Sequence, residues 1–283
     1  MGIIRRGLEK GINALGYRAI RNNNAVIPLK GYSTSGLRIP NIERLSDADL
    51  TLLNELLPWS SFLVDSQGRR FGKPFSEKKR NIPETLPDPR ILDLNRKIPL
   101  ADLTVMEVGC FEGNHTVSLA QLAARVIAVD SRIEHVVKTL VRCAMFDLKP
   151  DVYCVDLERD LPPDLDLSCD VLHHVGVLYH LTDPVRHLMV MSGLTRKALL
   201  LDTHIAPSTA EMKSYSVNGK SYDYFRLPEA GAAAPFAGML DHAKWLRQDQ
   251  LLTLLEEIGF RKVEIVEERQ ERNGPRIQLL ATR

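Results

Sequence analysis

The sequence predicts an α/β fold, a doubly wound and mostly parallel sheet that ends in an antiparallel C-terminal hairpin. Three stretches carry this expectation. Leu103-Thr-Val-Met-Glu-Val108 is a short apolar run entering a turn with Gly109 and Gly113, as strands buried on both faces do. Val126-Ile-Ala-Val-Asp130 is a second run, ending in an acid 17 residues beyond Gly113. Residues 261–266 and 276–282 flank Asn273-Gly274, a hairpin signal.

Between the first two runs, Val117, Leu119, Ala120, Leu122 and Ala123 give a helical stripe. A strand, a glycine turn, a helix and a strand ending in a carboxylate form a nucleotide half-site: glycine admits the ligand to the backbone, and the acid accepts from a ribose. Gly109 is followed by Cys110, Phe111 and only then Gly113, so the G-x-G-x-x-G cradle for a pyrophosphate is missing. The P-loop's Lys-Ser/Thr is missing too. These departures and the terminal hairpin set aside a nicotinamide oxidoreductase.

With 283 residues and 44% hydrophobic content, the chain can hold one full α/β domain and an appendage, not two large domains. A net charge of +1 gives no global field for nucleic acid. Cys110, Cys143, Cys154 and Cys169 form no C-x-x-C pair, which suits a reducing cytoplasm and implies neither a disulfide scaffold nor a metal site. No run approaches the roughly 18 apolar residues of a membrane span.

In chain order, residues 1–21 read as a basic amphipathic helix, with Ile4, Leu8, Ile12, Leu15 and Ala19 on one face. Packing on the main domain or on a second copy, as in a homodimer, is the preferred reading. Peripheral contact with the inner face of an anionic membrane is the alternative. The segment 1–42 ends in a polar connector. A cap follows over 43–100, opening with a helix capped by Ser46, acidic at Asp47 and Asp49 and stapled by Leu45 to Leu50,. Its second half, from Trp59 to Lys97, is rich in charge, Pro and Gly, with Arg69, Arg70, Lys73 and Phe75 as candidate substrate contacts.

Residues 101–283 form the main domain. Ile133, Val136, Val137, Leu140, Val141 and Met145 predict a helix by the i, i+3, i+4 rule,. Val152-Tyr-Cys-Val-Asp156 is a third strand, and Asp156 and Leu157 are placed to read a base; capping of the next turn is the other reading of Asp156. Cys169-Asp-Val-Leu-His-His-Val175 is a fourth strand running into Tyr179 and His180, and residues 198–204 are a fifth, ending in His204. His174, His180 and His204 therefore sit where ligands of such sheets bind, and they are the ordered candidates for a general base. The aromatic insertion over about 206–242, including Tyr224, is expected to roof the acceptor. Trp245, Leu246, Leu251, Leu252, Leu254 and Leu255 are expected on the last helix.

The pattern Glu107-x-Gly109-x-x-x-Gly113 resembles motif I of the class I S-adenosylmethionine (SAM) methyltransferases. From about residue 45 onward the chain is similar to a broad bacterial family of these enzymes. It includes those that carboxymethylate hydroxyuridine at the tRNA wobble position. Leu57-Pro58-Trp59, Gly113-x-His115, Val175-Gly-Val-Leu-Tyr-His180, Lys244-Trp245-Leu246, Gly259-Phe260 and Arg276 carry the likeness. It implies a Rossmann-like class I methyltransferase sheet with an N-terminal helical extension and SAM as cofactor. Glu107, Gly109, Cys110, Gly113, Asp130, Asp156, Leu157 and His174 would bind it.

In the tRNA enzymes a lysine after Pro-Trp, the Tyr of V-L-Y-H and the last-strand Arg grip the extra carboxylate of carboxy-SAM. Tyr179 and Arg276 match, but Ser60-Ser61 stands where Arg-Lys is expected, so ordinary SAM is implied. The expected reaction is methyl transfer to an O or N atom of a small molecule or glycan, with Tyr179, Arg276, Lys73 and Tyr224 as substrate contacts. A tRNA wobble uridine acceptor and a non-catalytic partner subunit are the alternatives.

Overall fold

A computed structural model describes residues 17–19, 26–28, 37–76, 78 and 81–283. Strands β1 (Tyr17–Ala19) and β2 (Val26–Pro28) pair antiparallel, so the helical stripe expected over 1–21 does not reach Ala19. The rest of that stretch lies outside the described residues. Helix α1 (Asp47–Leu56) starts as expected: the Ser46 hydroxyl accepts from the Asp49 N–H at 3.1 Å. The charged, Pro- and Gly-rich stretch from Trp59 to Lys97, for which no element was expected, forms the hairpin β3 (Phe62–Val64) and β4 (Arg70–Gly72) and helix α2 (Pro89–Lys97). Asp88 caps α2 and Pro89 occupies its first turn, where a missing N–H costs nothing.

Next come β5 (Thr104–Val108), α3 (Asn114–Leu122), β6 (Arg125–Asp130), α4 (Ile133–Met145), β7 (Asp151–Cys154), β8 (Cys169–Val175), α5 (Pro184–Leu194) and β9 (Thr195–His204). β10 (Lys213–Val217), β11 (Lys220–Pro228) and β12 (His242–Leu246) follow, then α6 (Gln248–Glu257), β13 (Lys262–Glu271) and β14 (Gly274–Thr282). Trp245 and Leu246 thus belong to β12, which pairs with β11, and not to the last helix. Seven strands form one sheet in the order β13-β14-β9-β8-β5-β6-β7. β8 runs parallel to β5 and β9, and β14 lies antiparallel to β9 and β13. The mostly parallel sheet with its antiparallel end is the one predicted.

The chain groups into two compact units. One gathers residues up to Asp102 with 110–126 and 133–152; Ile42, Leu50, Leu63, Phe71, Val117 and Phe146 share its core. In it, α4 buries only part of the stripe its periodicity suggests: Val136 is buried and Val141 and Met145 pack against the core. Ile133, Val137 and Leu140 are exposed, whereas Lys138, Thr139 and Arg142 are buried. The reason is a fully buried carboxylate, Glu112, which accepts from Lys138 Nζ at 3.1 Å and lies 3.6 Å from Arg142. An unpaired buried charge is costlier than exposed apolar side chains.

The second unit holds residues 103–109, 127–132 and 153–283. Met106, Ile127, Leu172 and Leu199 of the sheet share its core with Val185, Leu188 and Met191 of α5 and with Leu251, Leu254 and Leu255 of α6.

Candidate active site

β5 and β8 are neighbours although β6 and β7 lie between them in the chain. The winding reverses there, and ligands of open α/β sheets bind at the carboxyl ends beside such a point. Glu107, near the end of β5, is buried and stands opposite His173 of β8. Gly109 follows with φ +74°, its N–H donating to the Val129 carbonyl at 2.8 Å. A Cβ at Gly109 would stand 2.3 Å from Val177 Cγ2, so only glycine fits. Asp130 ends β6, and its Oδ1 accepts from the Arg132 N–H at 2.9 Å.

Asp156 caps its own turn, accepting from the Glu158 N–H at 3.1 Å and pairing with Arg159 at 3.2 Å. Leu157 packs against the core of the unit.

The three histidines differ sharply. His174 is wholly buried, its Nε2 2.8 Å from Nε2 of His187. Burial, then the neighbouring His187, holds His174 well below its ordinary pKa. Burial also pushes His187 from 6.5 down to about 4. At neutral pH one ring therefore donates and the other accepts, and His174 Nε2 is occupied within the protein.

His204 stacks on Trp245 with centroids 4.6 Å apart and stands edge-on to Tyr179 at 4.7 Å. Its Nδ1 donates to the Pro275 carbonyl at 3.1 Å, and burial lowers its pKa. His180 is partly exposed, and its Nδ1 lies 2.6 Å from Oε1 of Glu229. A carboxylate ion accepts only, so Nδ1 carries a proton and donates it to Glu229.

Tyr179 and Arg276 are brought together: the guanidinium lies 5.2 Å over the Tyr179 ring. Arg276 Nη2 and Tyr179 Oη both stand 3.8 Å from where a Cβ of Gly176 would be. Arg276 is already paired with Asp202 at 2.5 Å and Glu271 at 3.3 Å. Asp202 is fully buried and also takes Arg269 at 3.0 Å.

Tyr224 stands apart from this group. It packs edge-on to Tyr215 at 5.4 Å, beneath Lys244 Nζ. Its strand neighbour Phe225, on the opposite face of β11, is the one that meets Trp245, at 5.9 Å,. Gly274 exists for the same cluster: a Cβ there would lie 2.9 Å from Trp245.

In the other unit the turn continues. Cys110 is buried, its Sγ accepting from Thr139 Oγ1 at 3.4 Å, and Gly113 (φ +81°) has Thr139 Cα 3.0 Å from where a Cβ would sit. Glu112 takes the backbone N–H groups of Ser60 and Ser61 at 2.7 and 2.9 Å. Lys73 is exposed. Arg69 is spent on structure, pairing with Asp65 at 2.9 Å and donating to the carbonyls of Leu45 and Ile42. Sequence reasoning passed over Glu112, Asp202, Glu229 and His187. An acid inside the apolar run Leu199-Leu-Leu-Asp202 was the legible signal for Asp202; Glu229 has no local signature.

The strand order, the glycine turn and the acid at the tip of β6 define a class: the chain has the fold of the class I SAM-dependent methyltransferases. No family model matches it. Among curated proteins it is 34% identical to the tRNA U34 carboxymethyltransferase of Marinobacter nauticus over 108 residues, 37% of this chain and 32% of that protein. It is 22% identical to the ubiquinone biosynthesis O-methyltransferase of Parvibaculum lavamentivorans over 62% of this chain and 65% of that one. The chain thus spans less than two thirds of the length of either relative. Among solved structures, the N-terminal domain of EvdMO1, determined in the presence of SAH and D-fucose, superposes with a TM-score of 0.67 at 20% identity. That match covers 84% of this chain and 97% of that one.

Proposed function

We infer that the chain is a SAM-dependent methyltransferase acting on an O or N atom of a small molecule or glycan. The observation that carries the reading is the pairing of a buried acid at the tip of β6, Asp130, with a turn at Gly109 that tolerates no side chain. The residues present fit SAM. Glu107 would hold the amino group of its methionine end, Gly109 and Gly113 would admit it to the backbone, and Asp130 would take the ribose hydroxyls. Cys110 and Leu157 would line its path. Asp156 and His174, tied to Arg159 and to His187, would act through shape. SAM supplies an electrophilic methyl group on a sulfonium.

Of the three candidate bases, His180 has the geometry for the task. Its Nδ1 is oriented by a carboxylate, leaving Nε2 to take the acceptor's proton. Tyr179 and Arg276 would position the acceptor beside it. The neighbour solved with D-fucose supports a glycan. Residues 43–100 would form a cap and 206–242 a roof, with Lys73 and Tyr224 as more distant contacts. The segment 1–42 would serve a second copy or a membrane surface.

Ordinary SAM is favoured over carboxy-SAM because Arg276 is already matched by Asp202 and Glu271, and the Ser60 and Ser61 N–H groups by Glu112. Glycan, lipid and tRNA fractions incubated with methyl-labelled SAM test the reading: label is expected in the glycan or small-molecule fraction. Label confined to tRNA, with a carboxylated nucleoside found by mass spectrometry of the co-purified ligand, would overturn it. No helix among the described residues is long and apolar enough to cross a membrane.

A further inference from the structure

Residues 229–238 bracket His180 from both ends. At the first end Glu229 binds the imidazole Nδ1 at 2.6 Å. At the other, Gly238 lies so close to the His180 carbonyl that a Cβ would stand 2.3 Å from that oxygen. Between them runs Gly231-Ala-Ala-Ala-Pro-Phe-Ala-Gly238, largely small residues with a single short helical turn at Gly231–Ala233. Such a segment has little packing of its own to fix it.

One side chain gathers its carbonyls. Nη2 of Arg132 reaches the carbonyls of Gly231, Ala234, Ala237 and Gly238 at 3.3, 3.0, 2.9 and 3.2 Å. Arg132 stands two residues past Asp130, and its own N–H is held by the Asp130 carboxylate. The anchor of the segment and the candidate ribose acid are therefore one rigid turn.

We propose that Glu229 and Arg132 are positioning residues for His180. Arg132 holds the 231–238 segment, through Gly238, against the His180 carbonyl; the end of β11, with the Glu229 N–H on the Asp241 carbonyl at 2.8 Å, brings the Glu229 carboxylate to Nδ1, and the carboxylate fixes the tautomer whose Nε2 accepts a proton. The catalytic role of His180 rests on the methyltransferase reading; the dyad and its anchor do not. No covalent step is added: a proton passes from the acceptor to Nε2 while the Nδ1–H keeps donating to the carboxylate.

The test uses the full-length chain labelled with ¹⁵N in its imidazoles, with the His180 signal assigned through His180→Asn. The wild type is expected to show the Nδ1–H tautomer at His180. Glu229→Ala should convert it to Nε2–H, while Glu229→Gln, which keeps an acceptor oxygen, should preserve it. Arg132→Gln should raise amide exchange across 231–238 by about tenfold and shift the same signal. With a labelled acceptor fraction, Glu229→Ala should lower kcat by about 10²-fold without raising KM for SAM. An Nε2–H tautomer in the wild type, or a His180 signal indifferent to Arg132→Gln, would overturn the proposal. A wild type that binds no S-adenosylhomocysteine, yet shows the tautomer pattern, would instead overturn the methyltransferase reading.

Discussion

At Gly109 the requirement is steric. Its φ of +74° is one that side chains rarely adopt, and a Cβ would overlap Val177 Cγ2. Gly109→Ala should cost about 1–3 kcal/mol and weaken S-adenosylhomocysteine binding, with Val177→Ala restoring part of both; melting curves and titration calorimetry read the two. At His187 the requirement is charge neutrality. Folding holds its pKa near 4 against an ordinary 6.5, so the unfolded chain binds more protons in that window. The stability this residue contributes is complete above pH 6.5 and is lost as pH falls toward 4, about 2 kcal/mol of it by pH 5. His174 and His204 are lowered too and act with the same sign. Urea midpoints should fall between pH 7 and 5, and His187→Leu should flatten the slope; a midpoint constant across that range in the wild type would contradict the buried neutral pair.

Helix α4 shows an element whose type was legible and whose orientation was not. Spacing of Ile133, Val137 and Leu140 announced a helix correctly, but hydrophobic periodicity assumes that the apolar side is the buried one. Glu112, distant in sequence and silent in any local pattern, shifts the buried face by demanding Lys138 and Arg142. Glu112→Ala should therefore destabilise by about 3–5 kcal/mol, leaving two buried cations without their counter-charge. Leu140→Gln should stay within about 0.5 kcal/mol. Urea unfolding distinguishes them, and the reverse ranking would restore the periodic reading.

α2 was missed for a different reason. Asp88-Pro89 is a legible start signal, hidden by the charge and proline around it. Trp245 was misassigned because a strand of five residues pairing with β11 reads, beside a leucine-rich helix, as that helix's first turn.

On the scale of the molecule, the sheet was legible because parallel strands are short apolar runs closed by turn residues, and each such run here became a strand. The terminal hairpin was legible from Asn273-Gly274, although Gly274 itself pairs with Glu271 and makes room for Trp245. The candidate site was legible where chemistry follows from position along a strand, as at Glu107, Gly109 and Asp130. It was opaque where a partner arrives from elsewhere in the chain: Glu229 for His180, His187 for His174, Asp202 for Arg276. Those contacts decide which ring nitrogens are already engaged within the protein.

Calorimetric titration of the purified chain with S-adenosylhomocysteine tests the central claim most directly. Saturable binding to the wild type is expected, abolished in an Asp130→Ala variant that still melts cooperatively. No heat from the wild type, or an Asp130→Ala variant that binds as tightly as its parent, would contradict it.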